Sequence, residues 1–189
     1  MNVLFVGGTG AISTASSHET VRRGNNLWLL NRGTRNYRAP AQAHLIKADM
    51  EKMTDSDRSF IRSRSWDVVV NWQVFTPDQA IRDIEMFNGT VGHYIFISST
   101  TAYRRPQRGQ LITESHETGN DYWSYGRDKA ACEEIFLKAH RRNGFPVTIV
   151  RPGHTYADFA LPTNIMGLGF GLIERIINRE KIIFHNAGK

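Results

Sequence analysis

The stretch VLFVGGTGAIS, residues 3–13, decides how the rest of the chain is read. Four consecutive apolar residues, Val3 to Val6, suit a central parallel strand covered on both faces, and the abrupt change to small residues at Gly7 marks a sharp turn into a helix. Gly7 and Gly10 supply a turn without Cβ atoms, so that backbone N–H groups and the positive end of the helix can approach a diphosphate closely. Taken alone, the stretch also reads as nothing more than a tight connection in an α/β protein. Ser13 stands where this spacing would place a third glycine for close packing of helix on strand.

Outward from that turn, apolar strands alternate with amphipathic helices. Residues 11–23 read as a helix closed by Gly24, residues 27–30 as a second strand and residues 44–47 as a third. A helix over 55–64 leads to a strand over 66–70. Thr76 and Pro77 then open a helix that runs to residue 87 before Asn88 and Gly89 stop it. A fifth strand is predicted over 94–97, a long helix over 122–142 and a sixth strand over 146–150. Residues 163–179 read as a helix and 181–184 as one more strand. This alternation predicts an α/β fold: a Rossmann-like doubly wound parallel sheet of about six or seven strands with helices on both faces. Residues 104–121 have no persistent period and are expected to form a long surface loop.

The chain has 189 residues, 40% of them hydrophobic, which is enough for one substantial core. A single cysteine, Cys132, excludes an internal disulfide and has no partners at metal spacing, so no metal is expected. The first strand begins almost at Met1, leaving no room for an export signal ahead of it, and residues 165–177 are too short and too charged to span a bilayer. A soluble, cytoplasmic protein is expected. The net charge of +6 favours acidic partners without choosing among nucleotide phosphates, nucleic acid and anionic surfaces.

In such a sheet, ligands collect beyond the carboxyl ends of the strands. The second strand ends in Asn31 and Arg32, where an acidic residue would bond the free ribose hydroxyls of NAD. With the acid absent, Asn31, Arg32 and Arg35 offer recognition for a 2′-phosphate, which favours NADP; alternatively the arginines are solvated loop residues. Asp49 can accept from an adenine amino group or cap the turn that follows. Ser98, Ser99, Thr100 and Thr101 place four hydroxyls at the same edge.

Tyr125 and Lys129 are four residues apart on the long helix and share a face. An ammonium that close would lower the tyrosine pKa and make a usable base, with Ser99 holding the substrate oxygen. The same spacing also arises by chance on amphipathic helices.

GGTGAIS after the first strand, Asp49 after the third, SSTTAY (98–103) after the fifth, YGRDK (125–129) in the long helix and VRPGHTY (150–156) after the sixth strand occur in order. Together they resemble the extended short-chain dehydrogenase/reductase superfamily, and within it the NAD-dependent epimerase/dehydratase family. The resemblance implies a catalytic triad of Ser99, Tyr125 and Lys129. It implies cofactor contacts from Gly7, Thr9, Gly10, Ala11, Ile12, Asn31, Arg32, Asp49, Met50, Trp72 and Ser98. On the nicotinamide side it implies Tyr125, Lys129 and Pro152. It further implies a nucleotide-sugar substrate and a homodimer built on the helices at 77–87 and 122–142.

Ser13 in place of the third glycine is a mild departure. The larger one is length: members continue into a substrate-binding portion, of which residues 161–189 would be only the start, after an NAD(P)-binding domain over 1–160. Turnover as an NAD(P)-dependent epimerase, dehydratase or reductase is therefore weighed against a cofactor-binding module without turnover. An RNA-binding relative is a third reading, from the aromatic and basic residues at 103–108. Retention of the whole triad argues against nucleic acid as the main partner.

Overall fold

In the computed structural model, which describes residues 1–104, 111–160 and 170–182, the apolar run at the amino terminus is β1 (Asn2–Val6). It lies inside a six-stranded sheet of order β3-β2-β1-β4-β5-β6, every pairing parallel. The other strands are β2 (Asn26–Asn31), β3 (His44–Lys47), β4 (Trp66–Asn71), β5 (Val91–Ile97) and β6 (Val147–Val150). Between them run α1 (Ser13–Arg22), α2 (Asp55–Arg62), α3 (Pro77–Phe87) and α4 (Ser124–Asn143). The expected doubly wound α/β sheet is present.

Strand alternation divides the core into two apolar layers. Leu4, Val6, Leu30, Val69, Tyr94 and Phe96 point to one face, where Ile61 of α2, Ala80, Met86 and Phe87 of α3 and Cys132 and Phe136 of α4 meet them. Val3, Phe5, Leu27, Leu29, Val70 and Ile97 point to the other, where Val21 of α1 packs. Two-sided burial is what the continuous apolar strands require.

Several boundaries shift for physical reasons. α1 starts at Ser13 rather than residue 11, because Ala11 and Ile12 still belong to the glycine turn. β5 starts at Val91, three residues early, in register with Trp66 of β4. Gly92 makes this pairing close, since a Cβ there would stand 3.0 Å from the Asp67 carbonyl oxygen. α2 is held at its start by a reciprocal cap, with Asp57 N–H donating to Thr54 Oγ1 at 3.1 Å and Thr54 N–H to Asp57 Oδ2 at 3.0 Å.

The chain divides into two compact units, Met1–Gly153 and His154–Lys189. In the second, α5 (Gly171–Ile177) occupies part of the helix expected over 163–179, and residues 161–169 lie outside the described residues. Of the strand expected over 181–184, residues 181 and 182 are not in a strand, and 183–184 lie outside the described residues. No helix among the described residues is long and apolar enough to cross a membrane.

Candidate functional site

The order β3-β2-β1-β4 puts a reversal of winding between β1 and β4, the place where open α/β sheets form a ligand crevice. The glycine turn sits there, tied to the strand ends by Gly7 N–H donating to the Leu30 carbonyl (2.8 Å) and Trp72 N–H to that of Val6 (3.1 Å). Gly8 is the most constrained residue of the turn. Its φ is +104°, and a Cβ there would lie 2.6 Å from Leu29 Cδ2, while its carbonyl accepts from Ser17 Oγ at 2.8 Å.

A cavity of about 490 Å³ opens over this turn. Its floor is Gly7, Gly8, Thr9, Gly10 and Ser13; one wall is Arg32, Thr34 and Arg35 beyond β2, with Asp49, Met50 and Glu51 beyond β3. Trp72, Gln73, Phe75 and Gln79 close it on the β4 side. Asp49 Oδ1 accepts from Glu51 N–H (3.1 Å), so it caps its turn while also lining the cavity. Glu51 Oε1 accepts from Arg82 Nη1 (2.7 Å) and Gln79 Nε2 (2.8 Å), and the Arg82 bond holds the carboxyl below its ordinary range.

The loop over 72–75 is fixed from three directions. Asn71 Oδ1 accepts from Gln73 N–H (2.7 Å), Gln79 Oε1 accepts from Phe75 N–H (2.6 Å), and the Val74 carbonyl accepts from Lys129 Nζ (2.5 Å). Phe75 then packs against Tyr125, ring centroids 6.4 Å apart, with Trp123 on another side of Tyr125 at 5.0 Å. The Ser99 hydroxyl lies near enough to the Tyr125 phenol to influence its pKa. Ser99 Oγ also accepts from Thr101 N–H (3.2 Å) and Thr101 Oγ1 (2.9 Å).

Lys129 does not do what its spacing predicts. Its ammonium is drawn to two carbonyl oxygens, those of Val74 and of Ile97 (2.8 Å), and lies against the face of the Tyr125 ring, 5.7 Å from its centroid. The expected depression of the Tyr125 pKa is absent: burial pushes the phenol up, and only the nearby Ser99 hydroxyl opposes this. Lys129 itself, 1% exposed, is pushed down to about 8 by burial.

Of the residues predicted to contact cofactor, Gly7, Thr9, Gly10, Arg32, Asp49, Met50 and Trp72 line the cavity. Ala11, Ile12, Asn31, Ser98, Tyr125, Lys129 and Pro152 do not. Asn31 Oδ1 is taken by Gly33 N–H (2.8 Å), which shapes the turn that presents Arg32. Ser98, just beyond the end of β5, donates its hydroxyl to Glu133 Oε1 (2.5 Å), and Glu133 is paired with Arg151 (2.6 Å). The Pro152 carbonyl accepts from Thr100 N–H (3.0 Å), bracing the turn that carries Ser99.

The sequence model of the NAD dependent epimerase/dehydratase family matches residues 3–189. The chain belongs to that family. Among solved structures, the chain is similar to UDP-glucuronic acid 4-epimerase from Bacillus cereus, crystallised with NAD, at a TM-score of 0.77 and 14% identity over 98% of this chain and 67% of that one. It is also similar to the UDP-Glc/GlcNAc 4-epimerase of Campylobacter jejuni (TM-score 0.69, 19% identity, 79% of this chain and 52% of that one). A third is dTDP-glucose 4,6-dehydratase from Bacillus anthracis, in complex with NAD (0.68, 17%, 80% and 54%). The chain thus spans about half to two thirds of the length of these structures. None of the curated proteins matches the chain significantly in sequence.

For a member of this family, three kinds of site residue escaped sequence reasoning. Gly8 was legible only as part of a glycine run, since its contact with Leu29 is 21 residues away in the chain. Gly126, inside YGRDK, lets α4 approach so closely that a Cβ would collide with the Thr101 carbonyl oxygen. Glu51, Gln79 and Arg82 come from two separate elements, and no local pattern links them.

Proposed function

We propose that the Met1–Gly153 unit is the dinucleotide-binding and catalytic part of an NAD(P)-dependent epimerase, dehydratase or reductase acting on a nucleotide sugar or a similar hydroxy or carbonyl substrate. The observation that carries this is one continuous arrangement: a glycine-floored cavity at the β1/β4 switch point, leading through Phe75 to Tyr125 and the nearby Ser99. The residues present fit a nicotinamide dinucleotide. The turn has no Cβ where a diphosphate must come close, and Asp49 faces the cavity for an adenine amino group. Arg32, Thr34 and Arg35 supply two cations and a hydroxyl, with no carboxylate at the end of β2, which favours NADP over NAD.

The bound nicotinamide would supply the hydride acceptor or donor. The chain supplies the proton chemistry and the geometry. Ser99 holds the substrate oxygen beside Tyr125. Tyr125, its phenol pushed up by burial, carries a proton at neutral pH and donates it as a carbonyl is reduced. In the opposite direction the phenolate must be stabilised, and Lys129 is the cation nearest to that task once drawn from its carbonyl partners. Met50 and Trp72 line the cofactor cavity, and Pro152 holds the Ser99 turn. The packed pair α3 and α4 leaves Ile81 and Leu137 exposed, which suits an isologous homodimer. A reducing cytoplasm suits the single free cysteine, Cys132.

Calorimetric titration with NADP and NAD, paired with tryptophan fluorescence, tests the binding. Micromolar affinity with NADP tighter is expected, and Arg32→Ala with Arg35→Ala should weaken NADP about ten-fold or more while leaving NAD unchanged. Absence of heat and of a fluorescence change with both dinucleotides would overturn the proposal. Tyr125→Phe should keep cofactor affinity and lose turnover of UDP-sugars.

A further inference from the structure

The residue that departs from the glycine pattern, Ser13, is not a passive filler. It is 3% exposed, it forms part of the cavity floor, and its Oγ accepts the Gly10 N–H at 2.9 Å. Gly10 N–H is thereby turned away from direct contact with an anion, because the one hydrogen it offers is already placed. The Ser13 hydroxyl keeps its own hydrogen, and among the described residues no acceptor takes it. A neighbouring hydroxyl behaves differently: Thr14 Oγ1 donates back to the Gly10 carbonyl at 2.8 Å, the ordinary local bond of a hydroxyl in a first helical turn. Ser13 combines burial, a place in the cavity floor and an unspent donor.

We infer that Ser13 is a diphosphate ligand, relaying the Gly10 amide to a phosphate oxygen through its hydroxyl. This rests on the dinucleotide reading proposed above and assigns one contact within it. Accepting from an N–H polarises the hydroxyl and strengthens it as a donor, and at the positive end of α1 such a donor meets a phosphate favourably. The serine thus does the work of a bare glycine amide from one bond further out.

The test compares wild type with Ser13→Ala and Ser13→Gly, using calorimetry with the tighter-binding of NADP and NAD, and with adenosine, which lacks any phosphate. Ser13→Ala should weaken the dinucleotide about ten-fold and leave adenosine unchanged, because only the charge-assisted contact is lost. Ser13→Gly should lose only about three-fold, since removing the side chain bares the Gly10 amide for direct contact. Thermal melts confirm folding of each variant, and the glycine variant, which introduces no new bulk, stands in if the alanine variant does not fold. Equal dinucleotide affinities in the folded variants and wild type would overturn the inference. So would parallel losses for dinucleotide and adenosine, the mark of a structural role. If wild type binds adenosine but no dinucleotide, or neither, the cofactor reading itself falls, and the relay falls with it.

Discussion

Gly126 shows how a single missing Cβ lets α4 approach the turn beside Ser99. Inside a 20-residue helix, glycine to alanine would ordinarily add about 1 kcal/mol of stability through helix propensity. Here the Cβ would run into the Thr101 carbonyl oxygen and lie 2.8 Å from Asn120 Cβ, both parts of a locked turn. Asn120 Nδ2 donates to that same carbonyl at 3.0 Å, and Asn120 Oδ1 accepts from Tyr122 and Trp123 N–H at 2.9 and 2.8 Å. The obstruction is backbone on one side and a hydrogen-bonded asparagine on the other, so neither can yield without losing bonds. Gly126→Ala should therefore destabilise by roughly 2 kcal/mol or more, reversing the propensity gain. It should also part Tyr125 from Ser99 while leaving the glycine turn of β1 intact. Thermal melts should fall, dinucleotide titration should stay near wild type, and turnover should drop; a variant as stable as wild type would show that α4 can move away at no cost.

At the scale of elements, α3 and α4 are held by buried polar groups rather than by apolar contact alone. Asp83 of α3 is fully buried; its carboxylate accepts from Tyr94 (2.5 Å), Asn71 and Arg82 (3.1 Å), yet burial still pushes its pKa up. Through Asn71 and Arg82 this carboxylate reaches both cavity walls, the 72–75 loop and Glu51. In α4, Lys129 gives a measurable counterpart. Its folded pKa, about 8, lies below the ordinary 10.5 because burial disfavours the ammonium. Between those values the unfolded chain holds more protons than the folded one, so stability rises as pH climbs through this window, and the full cost is present below it. The shift corresponds to roughly 3 kcal/mol. Cys132, one turn on, acts oppositely: its thiol is pushed up to about 12 from 9.0, so stability is lost as pH rises through that range. Urea unfolding of wild type and Lys129→Met from pH 7.5 to 10 separates the two. The wild type should gain on the variant across that interval, and a difference that does not change with pH would mean the lysine is better solvated than its burial indicates.

Across the whole molecule, what could be read from sequence was what local periodicity encodes. The six strands, the glycine turn and the order of motifs were legible because two-sided burial writes continuous apolar runs and turns write small residues. Side-chain direction over longer distances was not. Ser98 and Ser99 are adjacent hydroxyls in sequence, yet one is consumed by Glu133 in the core and the other faces Tyr125. Lys129 shares a helix face with Tyr125, but the carbonyls that claim it belong to the end of β5 and the 72–75 loop, 32 and 55 residues away. Spacing along one helix cannot report such competitors. The cavity, Ser99, Tyr125 and Lys129 all fall inside the Met1–Gly153 unit, along with every strand of the sheet. That unit contains both apolar layers of the sheet and the full glycine turn, so its core does not depend on residues beyond 153 for any strand pairing. A chain of residues 1–153 should therefore unfold cooperatively in urea and bind the preferred dinucleotide within about three-fold of the full chain, a difference below 1 kcal/mol. Calorimetry on the two chains decides it. Affinity lost by about ten-fold or more would place a cofactor contact in residues 154–189 and move the functional boundary beyond the structural one.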